Sequence, residues 1–173
     1  KSAIGIEVPN RRQETIYPRE LMASERFRAS ASKLTLALGK DISGEVYVSD
    51  QGDNLIHVFG PGPTRSHTST FDGSDTDAGA FAELNRIAIH QASGSIYALD
   101  AGNSVVDKFN LLGEAADYSA LASSSLDDSG TGGGTFSLGS DSDIAVDNSG
   151  TASDGRLYVL AYGPQEVYAF DGA

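Results

Sequence analysis

Three histidines are the first residues in this chain that could hold a metal ion. His57, His67 and His90 occupy different positions of a repeated pattern, so no two of them have the spacing of paired ligands. A metal centre could also draw one residue from the end of each innermost strand. The corresponding residues, Gly39, His90 and Asp147, form no ligand set. The sequence therefore predicts no catalytic metal and no metal-ligating residue.

Aspartate-rich segments are the second candidate for cation binding. "DGSDTDAG" at 72–79, "LDDSGTGGG" at 126–134 and "SDSD" at 140–143 offer the hard oxygen ligands that calcium prefers. None of them has the order D-x-[DN]-x-[DN]-G with a distal glutamate. Surface turns are commonly rich in aspartate and glycine. We therefore expect no cofactor, and weak surface calcium binding stays open as the alternative.

Nucleophilic catalysis finds little support in the residue types. The chain has no cysteine, and it has no G-x-S-x-G pattern that would place a reactive serine on a sharp turn. The stretch "GTGGGTF" at 130–136 lacks the lysine and the following helix of a phosphate-binding loop. We expect no catalytic residue, no cofactor-binding residue and no enzymatic activity.

Charge is divided unevenly along the chain, whose formal net charge is −12. Residues 1–33 carry seven basic and four acidic side chains, a net charge of +3. Residues 34–173 carry five basic and twenty acidic side chains, a net charge of −15. An acidic body repels nucleic acid and anionic lipid, and no apolar run approaches the roughly 20 residues that span a bilayer. We expect no nucleic-acid partner and no membrane insertion.

A sixteen-residue pattern occurs three times and determines the fold prediction. The copies are "GEVYVSDQGDNLIHVF" at 44–59, "GSIYALDAGNSVVDKF" at 94–109 and "GRLYVLAYGPQEVYAF" at 155–170. Each copy contains a first glycine, a tyrosine, a second glycine, a β-branched residue and a phenylalanine at the same spacing. The structural repeat positions are Gly44, Tyr47, Gly52 and Phe59; Gly94, Tyr97, Gly102 and Phe109; and Gly155, Tyr158, Gly163 and Phe170.

Each copy is predicted to form two strands around a glycine turn, because β-branched and aromatic residues alternate on both sides of it. A third strand precedes each copy, at 34–38, 86–90 and 143–147, and weaker candidates for a fourth lie at 66–71 and 115–121. Antiparallel strands in a repeat of about 50 residues are typical of a β-propeller blade. The predicted fold is all-β: three four-stranded propeller blades of an incomplete ring, with an N-terminal extended arm.

The segment "LNRIAIHQASGSIYALDAGNSVVDKFNLLG" at 84–113 resembles an NHL repeat, whose pattern joins an Ile-Ala-Val-Asp strand, a glycine, an Ile-Tyr-Val-x-Asp strand and a strand ending in phenylalanine. The third copy is similar but has Ala161 where the first two have Asp50 and Asp100. The resemblance implies an NHL-like β-propeller over residues 27–173. It implies no single function, because the family includes binding scaffolds and enzymes. The implied blades are approximately 27–80, 81–135 and 136–173.

Three blades leave two apolar faces uncovered, since closed propellers have four to eight blades. The chain could be a piece of a larger propeller, several chains could complete a ring or stack, or a degenerate fourth blade could lie near the N-terminus. We expect the N-terminal arm, residues 1–26, to supply a closing strand from 3–8 or 14–17. The candidate closing strand consists of Ala3, Ile4, Gly5, Ile6, Glu7 and Val8.

These features predict a non-enzymatic interaction module that binds other proteins. Its partners would be copies of itself or the remaining blades of a larger propeller, joined through exposed blade edges and strand addition by the N-terminal arm. The alternative is part of a lactonase- or lyase-like propeller enzyme with a divalent metal in the central channel. Abundant Gly, Ser and Asp and the lack of Cys favour an extracellular or cell-surface protein.

Overall fold

The computed structural model describes residues 38–40, 44–129 and 135–171. Within these ranges the chain forms eleven β-strands and no helix, so the prediction of an all-β fold is confirmed. The predicted N-terminal arm and its candidate closing strands at 3–8 and 14–17 lie outside the described residues. No apolar helix of membrane-spanning length occurs in the described part of the chain.

The strands form three antiparallel sheets in chain order. The first sheet contains β1 (Leu38–Lys40), β2 (Val46–Asp50), β3 (Leu55–Phe59) and β4 (His67–Phe71), in that order. The second contains β5 (Leu84–His90), β6 (Ser95–Asp100), β7 (Val105–Phe109) and β8 (Ser125–Leu126). The third contains β9 (Asp143–Val146), β10 (Leu157–Ala161) and β11 (Glu166–Phe170). Neighbours along the chain are therefore neighbours in each sheet, as in a meander.

Equivalent turns open the two central strands of each copy. Gly44, Gly94 and Gly155 have φ angles of 89°, 73° and 82°, a left-handed conformation that glycine adopts without steric cost. At Gly94 an added Cβ would also come within 2.9 Å of the Leu111 side chain. The first repeated glycine is therefore required by the backbone of the turn.

The repeated phenylalanines also have equivalent pairing partners. Each one lies opposite the residue that precedes the repeated tyrosine. The pairs are Phe59 with Val46, Phe109 with Ile96, and Phe170 with Leu157. The three copies thus share one register, because a shift by one residue would move every apolar side chain to the other face of its sheet.

Two apolar interfaces hold the sheets together. Between the first and second sheets, Tyr47, Ile56 and Val58 pack with Leu84 and Phe109 in one buried cluster. This cluster further contains Phe81, Ile87, Ile89, Ile96 and Ala98, with Phe71 and Leu111 at its edge. Burying a side chain of this size contributes about 1.5–3 kcal/mol, so the interface is a main source of stability.

The opposite face of the second sheet packs on the third sheet. Tyr97, Leu99 and Val106 contact Leu157 and Val159 in a second buried cluster. The same cluster also contains Ala101, Tyr118, Leu126, Phe136 and Ile144. The second sheet is therefore apolar on both faces, which explains its near-continuous burial along β6.

The outer face of the third sheet is exposed within the described structure. Leu160 is 37% exposed and Val167 is 66% exposed, whereas their equivalents in the second sheet, Leu99 and Val106, are fully buried. Tyr158 is likewise only half-buried, and Tyr97 is fully buried. Equivalent residues therefore differ in burial according to whether another sheet lies against them.

Two details differ from the sequence prediction. The third sheet has three strands among the described residues, not four. In the second sheet the fourth strand is Ser125–Leu126, not the segment 115–121. Tyr118 pairs with Ser123, is buried, and donates its hydroxyl hydrogen to the carbonyl of Val106 at 3.0 Å. Ala115 forms a single bridge with Phe109 at the end of β7, and the strand that pairs along β7 follows only at Ser125.

Candidate functional site

Two of the three histidines meet in the first sheet. His57 Nδ1 lies 3.5 Å from His67 Nε2, and His67 Nε2 lies 2.9 Å from the hydroxyl of Thr70. The His57 Nε2 atom is 3.8 Å from a carboxylate oxygen of Asp50. Sequence spacing did not reveal this pair, because His57 on β3 and His67 on β4 become neighbours only through strand pairing.

The third histidine, His90, lies at the seam between the second and third sheets. Its Nδ1 is 2.8 Å from the Ser93 hydroxyl, and its Nε2 is 3.3 Å from a carboxylate oxygen of Asp154. Next to it, the Asn148 side chain donates to the carbonyl of Ile89 at 3.0 Å and accepts from the amide of Gln91 at 2.7 Å. These contacts hold the β5–β6 hairpin of the second sheet against the loop between β9 and β10 of the third sheet.

Ser93, His90 and Asp154 form a hydrogen-bonded series of the residue types used in acyl transfer. Such a reaction also needs N–H donors aimed at a developing oxyanion. The nearby amides are engaged: Gly94 donates to the carbonyl of His90, and Ser95 donates to the Ser93 hydroxyl. The series therefore supports a structural role at this seam.

Asp100 organises the turn that follows β6. It is fully buried, and its two oxygens accept hydrogen bonds from the amides of Ala82 at 3.0 Å and Glu83 at 2.8 Å. They also accept from the Gly102 amide at 3.1 Å and from the Asn103 side chain at 2.8 Å. A Cβ added to Gly102 would come within 2.6 Å of Ala82, so the second repeated glycine permits this close approach.

The third copy, which has Ala161 in place of this aspartate, uses a different acceptor. The hydroxyl of Ser142 accepts hydrogen bonds from the amides of Tyr162 at 3.3 Å and Gly139 at 3.0 Å. Ser142 is fully buried and lies in the loop before β9. A serine from the preceding loop thus performs part of the role that the aspartate has in the second copy.

Asp107, on β7, is a titratable group at a buried position of the second sheet. It is fully buried, its Oδ1 accepts from the Ser125 hydroxyl at 2.5 Å, and no described residue donates to its Oδ2 within normal geometry. Burial raises the pKa of Asp107 to about 7, and the charges of Asp100 and Asp77 act in the same direction. The Ser125 hydroxyl opposes this shift.

The sequence placed Asp107 only as a strand residue within "VVDKF". The sequence nevertheless indicated that Asp107 is buried, because side chains alternate along a strand and Asp107 lies on the same face of the second sheet as Phe109. In the structure Asp107 pairs with buried Ala98. A carboxylate at a core position requires a hydrogen-bond partner or a bound proton. We define the Asp107 cluster as Asp77, Asp100 and Asp107 with Ser123, Ser124 and Ser125, and treat it as the candidate site.

The described residues contain no group of three or more histidine, aspartate or glutamate side chains placed to hold a metal ion. Two aspartates of 72–79 accept hydrogen bonds from serines. Asp72 accepts from the Ser74 amide at 3.0 Å, and Asp77 accepts from the Ser124 amide at 2.8 Å. The repeated glycines lie in turns, and Tyr47, Tyr97 and Phe109 lie in the cores between sheets. Phe59 is buried with Val46 and Val48, whereas Tyr158 is only half-buried.

Comparison with known proteins gives partial similarity to DNA translocases. No protein-family model matches the chain. A 69-residue stretch is 48% identical to the DNA translocase FtsK of Mesorhizobium japonicum, covering 40% of this chain and 8% of that protein. The FtsK proteins of Helicobacter pylori J99 and Campylobacter jejuni 81-176 are 46% and 48% identical over the same length. The chain thus spans less than a tenth of the length of these relatives.

The stretch that is similar to the translocases does not contain the whole threefold repeat. Tyr47 and Tyr158 are 111 positions apart, so a match of 69 residues cannot include all three copies. Among solved structures, the virginiamycin B lyase of Staphylococcus aureus aligns with 83% of this chain and 57% of its own, at 12% identity and a TM-score of 0.34. That score is too low to support an argument about fold or function.

The translocase relatives overturn part of the sequence interpretation. The prediction of a secreted, self-associating interaction module is wrong, and so is its lactonase- or lyase-like alternative, because the matching proteins are named DNA translocases. The predicted partners are wrong for the same reason: the expectation of no nucleic acid conflicts with relatives named for their action on DNA.

Other expectations stay predictions. Neither the translocase relatives nor the sheets test four of them. These are the NHL-repeat resemblance, the boundaries at 1–26 and 27–173, the lack of enzymatic activity and a location at the cell surface.

Proposed function

We propose that this protein acts on DNA, in a process related to DNA translocation. The observation that carries the proposal is the identity of 46–48% over 69 residues with DNA translocases from several bacteria. Chance does not maintain such identity over a stretch of this length. Because the chain covers so little of those relatives, the proposal concerns DNA association and leaves the translocation activity to the longer proteins.

The charge distribution supports a division of labour within the chain. Residues 1–33 carry a net charge of +3 and residues 34–173 carry −15. Phosphate contacts by Lys and Arg supply most of the affinity of a non-specific DNA-binding protein. We therefore assign DNA contact to the basic segment 1–33 and assign a supporting role to the acidic sheets.

The four basic side chains of residues 44–129 and 135–171 make contacts within the protein. Arg65 donates to the carbonyl of Gly44, and Arg86 donates to the carbonyl of Asn85 at 3.0 Å. The Lys108 ammonium donates to the carbonyl of Asp117 at 3.2 Å, and Arg156 pairs with the carboxylate of Asp171 at 2.6 Å. Releasing these groups to bind phosphate would break existing contacts, which favours the basic segment as the DNA surface.

The test is a DNA-binding titration of the full chain with a fluorescent duplex at several salt concentrations. We expect binding that weakens as salt rises. Replacing Arg11, Arg12 and Arg19 together with alanine should reduce the slope of log affinity against log salt by about 0.9 for each phosphate that is no longer neutralised. The control replaces Arg86 and Arg156 with alanine. This removes positive charge from the sheets and should leave the slope of log affinity against log salt unchanged.

Two outcomes would contradict this proposal. One is a full chain that shows no salt-dependent binding to duplex or single-stranded DNA. The other is an equal reduction of binding in the segment variant and the control variant, which would place the DNA surface elsewhere. Both variants should retain the thermal unfolding midpoint of the parent, so that a folding defect is not mistaken for weaker phosphate binding.

We further propose that the three sheets are consecutive blades of an NHL-like β-propeller. Support comes from the shared meander order, the shared register and the face-to-face packing of the second sheet on both neighbours. An experimental structure tests this directly. Sheets that radiate about a common axis would support the proposal, and two sheets folded into a closed sandwich would contradict it.

A further inference from the structure

Hydrogen bonds join two segments that are distant in sequence, residues 76–79 and 123–126, next to Asp107. The Asp77 carboxylate accepts from the Ser124 amide and from the Ser123 hydroxyl, both at 2.8 Å, and the Asp77 amide donates to the Ser124 hydroxyl at 2.9 Å. We call this set of contacts, between residues 76–79 and 123–126, the Asp77 latch. It ties the loop that joins the first two sheets to the edge of the second sheet.

Ser125 connects the latch to Asp107. Its hydroxyl oxygen accepts a hydrogen bond from the Ala78 amide at 3.0 Å, and its hydroxyl hydrogen is donated to Asp107 Oδ1 at 2.5 Å. Loop, edge strand and buried carboxyl group therefore form one continuous hydrogen-bonded series. A change in the charge of Asp107 affects the hydrogen bond from the Ala78 amide, because both bonds involve the hydroxyl oxygen of Ser125.

We propose that the proton on Asp107 controls the Asp77 latch: the latch stays closed while Asp107 is protonated and opens more often once the proton is lost. An ionised carboxylate needs water or donors at both oxygens. Oδ2 accepts no hydrogen bond from a described residue, because the nearby Thr76 hydroxyl donates to the carbonyl of Gly79 at 3.2 Å. Opening of residues 76–79 or 123–126 admits water to this oxygen. The device is independent of the proposed action on DNA.

The charges around Asp107 reinforce this behaviour. Asp100 on β6 and Asp77 on the loop raise the pKa of Asp107 beyond the effect of burial, while the Ser125 and Thr76 hydroxyls lower it, with a net result of about 7. Lys108, the neighbouring cation on β7, lies over the ring of Tyr118 at 5.3 Å and donates to the carbonyl of Asp117. Tyr118 donates its hydroxyl hydrogen to the Val106 carbonyl.

The direction of the pH effect follows from the raised pKa. The closed latch holds the proton up to about pH 7, whereas an open, hydrated Asp107 releases it near its ordinary value of 3.8. The closed state is therefore favoured most at acid pH, loses this advantage as the pH rises from about 4 to 7, and changes little above that. Hydrogen bonds from Ser124 and Ser123 lower the pKa of Asp77. The Asp77 carboxylate therefore becomes protonated, and the latch loses this acceptor, only at pH values below this window.

Amide hydrogen exchange tests the proposal with the full chain. The Ala78 and Ser124 amides, which both donate to latch side chains, are followed between pH 5 and 7.5 and corrected for intrinsic exchange. We expect their protection to fall by about tenfold or more over this range. In Asp107→Asn, which cannot ionise, protection should stay constant within about twofold. The matched control is Asp75→Asn, an exposed aspartate of the same loop, which should keep the parent response.

A pH-independent protection in the parent, or an unchanged response in Asp107→Asn, would overturn the proposal. A second measurement does not depend on any variant. The carboxyl carbon of Asp107 in isotopically labelled protein should titrate with a midpoint near 7, and a midpoint near 4 would exclude the buried proton. The parent and both variants have the same histidines, so the comparison isolates the change at Asp107.

Discussion

Truncation of Phe109 to alanine is expected to lower the free energy of unfolding by about 3–5 kcal/mol, the usual cost of removing a buried phenylalanine. Phe109 is 1% exposed, and its ring centroid lies 5.0 Å from that of Phe71 and 5.8 Å from that of Phe81. Its removal would leave a cavity between the first and second sheets. Denaturant unfolding at constant pH measures the change, and an unchanged m-value shows that the folded state is retained.

The repeat supplies a matched control for this prediction. Phe170 has the same position and the same pairing in the third sheet, but it is only half-buried and contacts mainly Phe136, at 5.9 Å between ring centroids. Phe170→Ala should cost less than half as much as Phe109→Ala. Equal costs would mean that the Phe170 ring, on the face of the third sheet that packs against the second sheet, is buried in solution as fully as Phe109.

Strand positions and turns were predictable because their signals are local. Within sixteen residues the pattern specifies a glycine with positive φ at Gly94 and two buried aromatic rings, at Tyr97 and Phe109. The same spacing in the other two copies produces the same register. A pattern of this kind needs no knowledge of the rest of the chain.

Burial at equivalent positions was not predictable from the pattern. Val106 and Val167 have the same place in their repeats, yet one is fully buried and the other is 66% exposed. The difference depends on which sheet lies opposite, and that information is absent from a repeat considered alone. The short strand Ser125–Leu126 was missed for a related reason, since it pairs with β7 only after a turn held by buried Tyr118.

The Asp107 cluster depends on contacts between distant parts of the sequence. Asp77 and Ser124 are 47 positions apart, and Asp107 and Ser125 are 18 apart. Nothing in the composition of the segment 72–79 distinguishes Asp77 from Asp75, and both are exposed, yet Asp77 accepts hydrogen bonds from Ser123 and Ser124. Sequence analysis could locate the acidic loop, but only the fold reveals which carboxylate has a structural task.

Removal of the Asp100 carboxylate is the second large expected effect. Asp100→Ala should reduce the free energy of unfolding by about 2–4 kcal/mol, because several amides of two segments lose a shared, buried acceptor. The amides of Ala82 and Glu83 belong to the loop before β5, and that of Gly102 belongs to the turn after β6. The change should appear as a lower denaturant midpoint, together with faster hydrogen exchange at these amides.

The comparison with Asp53 and with the third copy makes the prediction specific. Asp53→Ala, at an exposed site in the equivalent turn of the first sheet, should change stability by no more than about 0.5 kcal/mol. In the third copy, Ala161 is tolerated because the Ser142 hydroxyl accepts the Tyr162 amide hydrogen. Ser142→Ala should therefore cost about 1–2 kcal/mol. A neutral result for both Asp100→Ala and Ser142→Ala would show that water satisfies these turns as well as the side chains do.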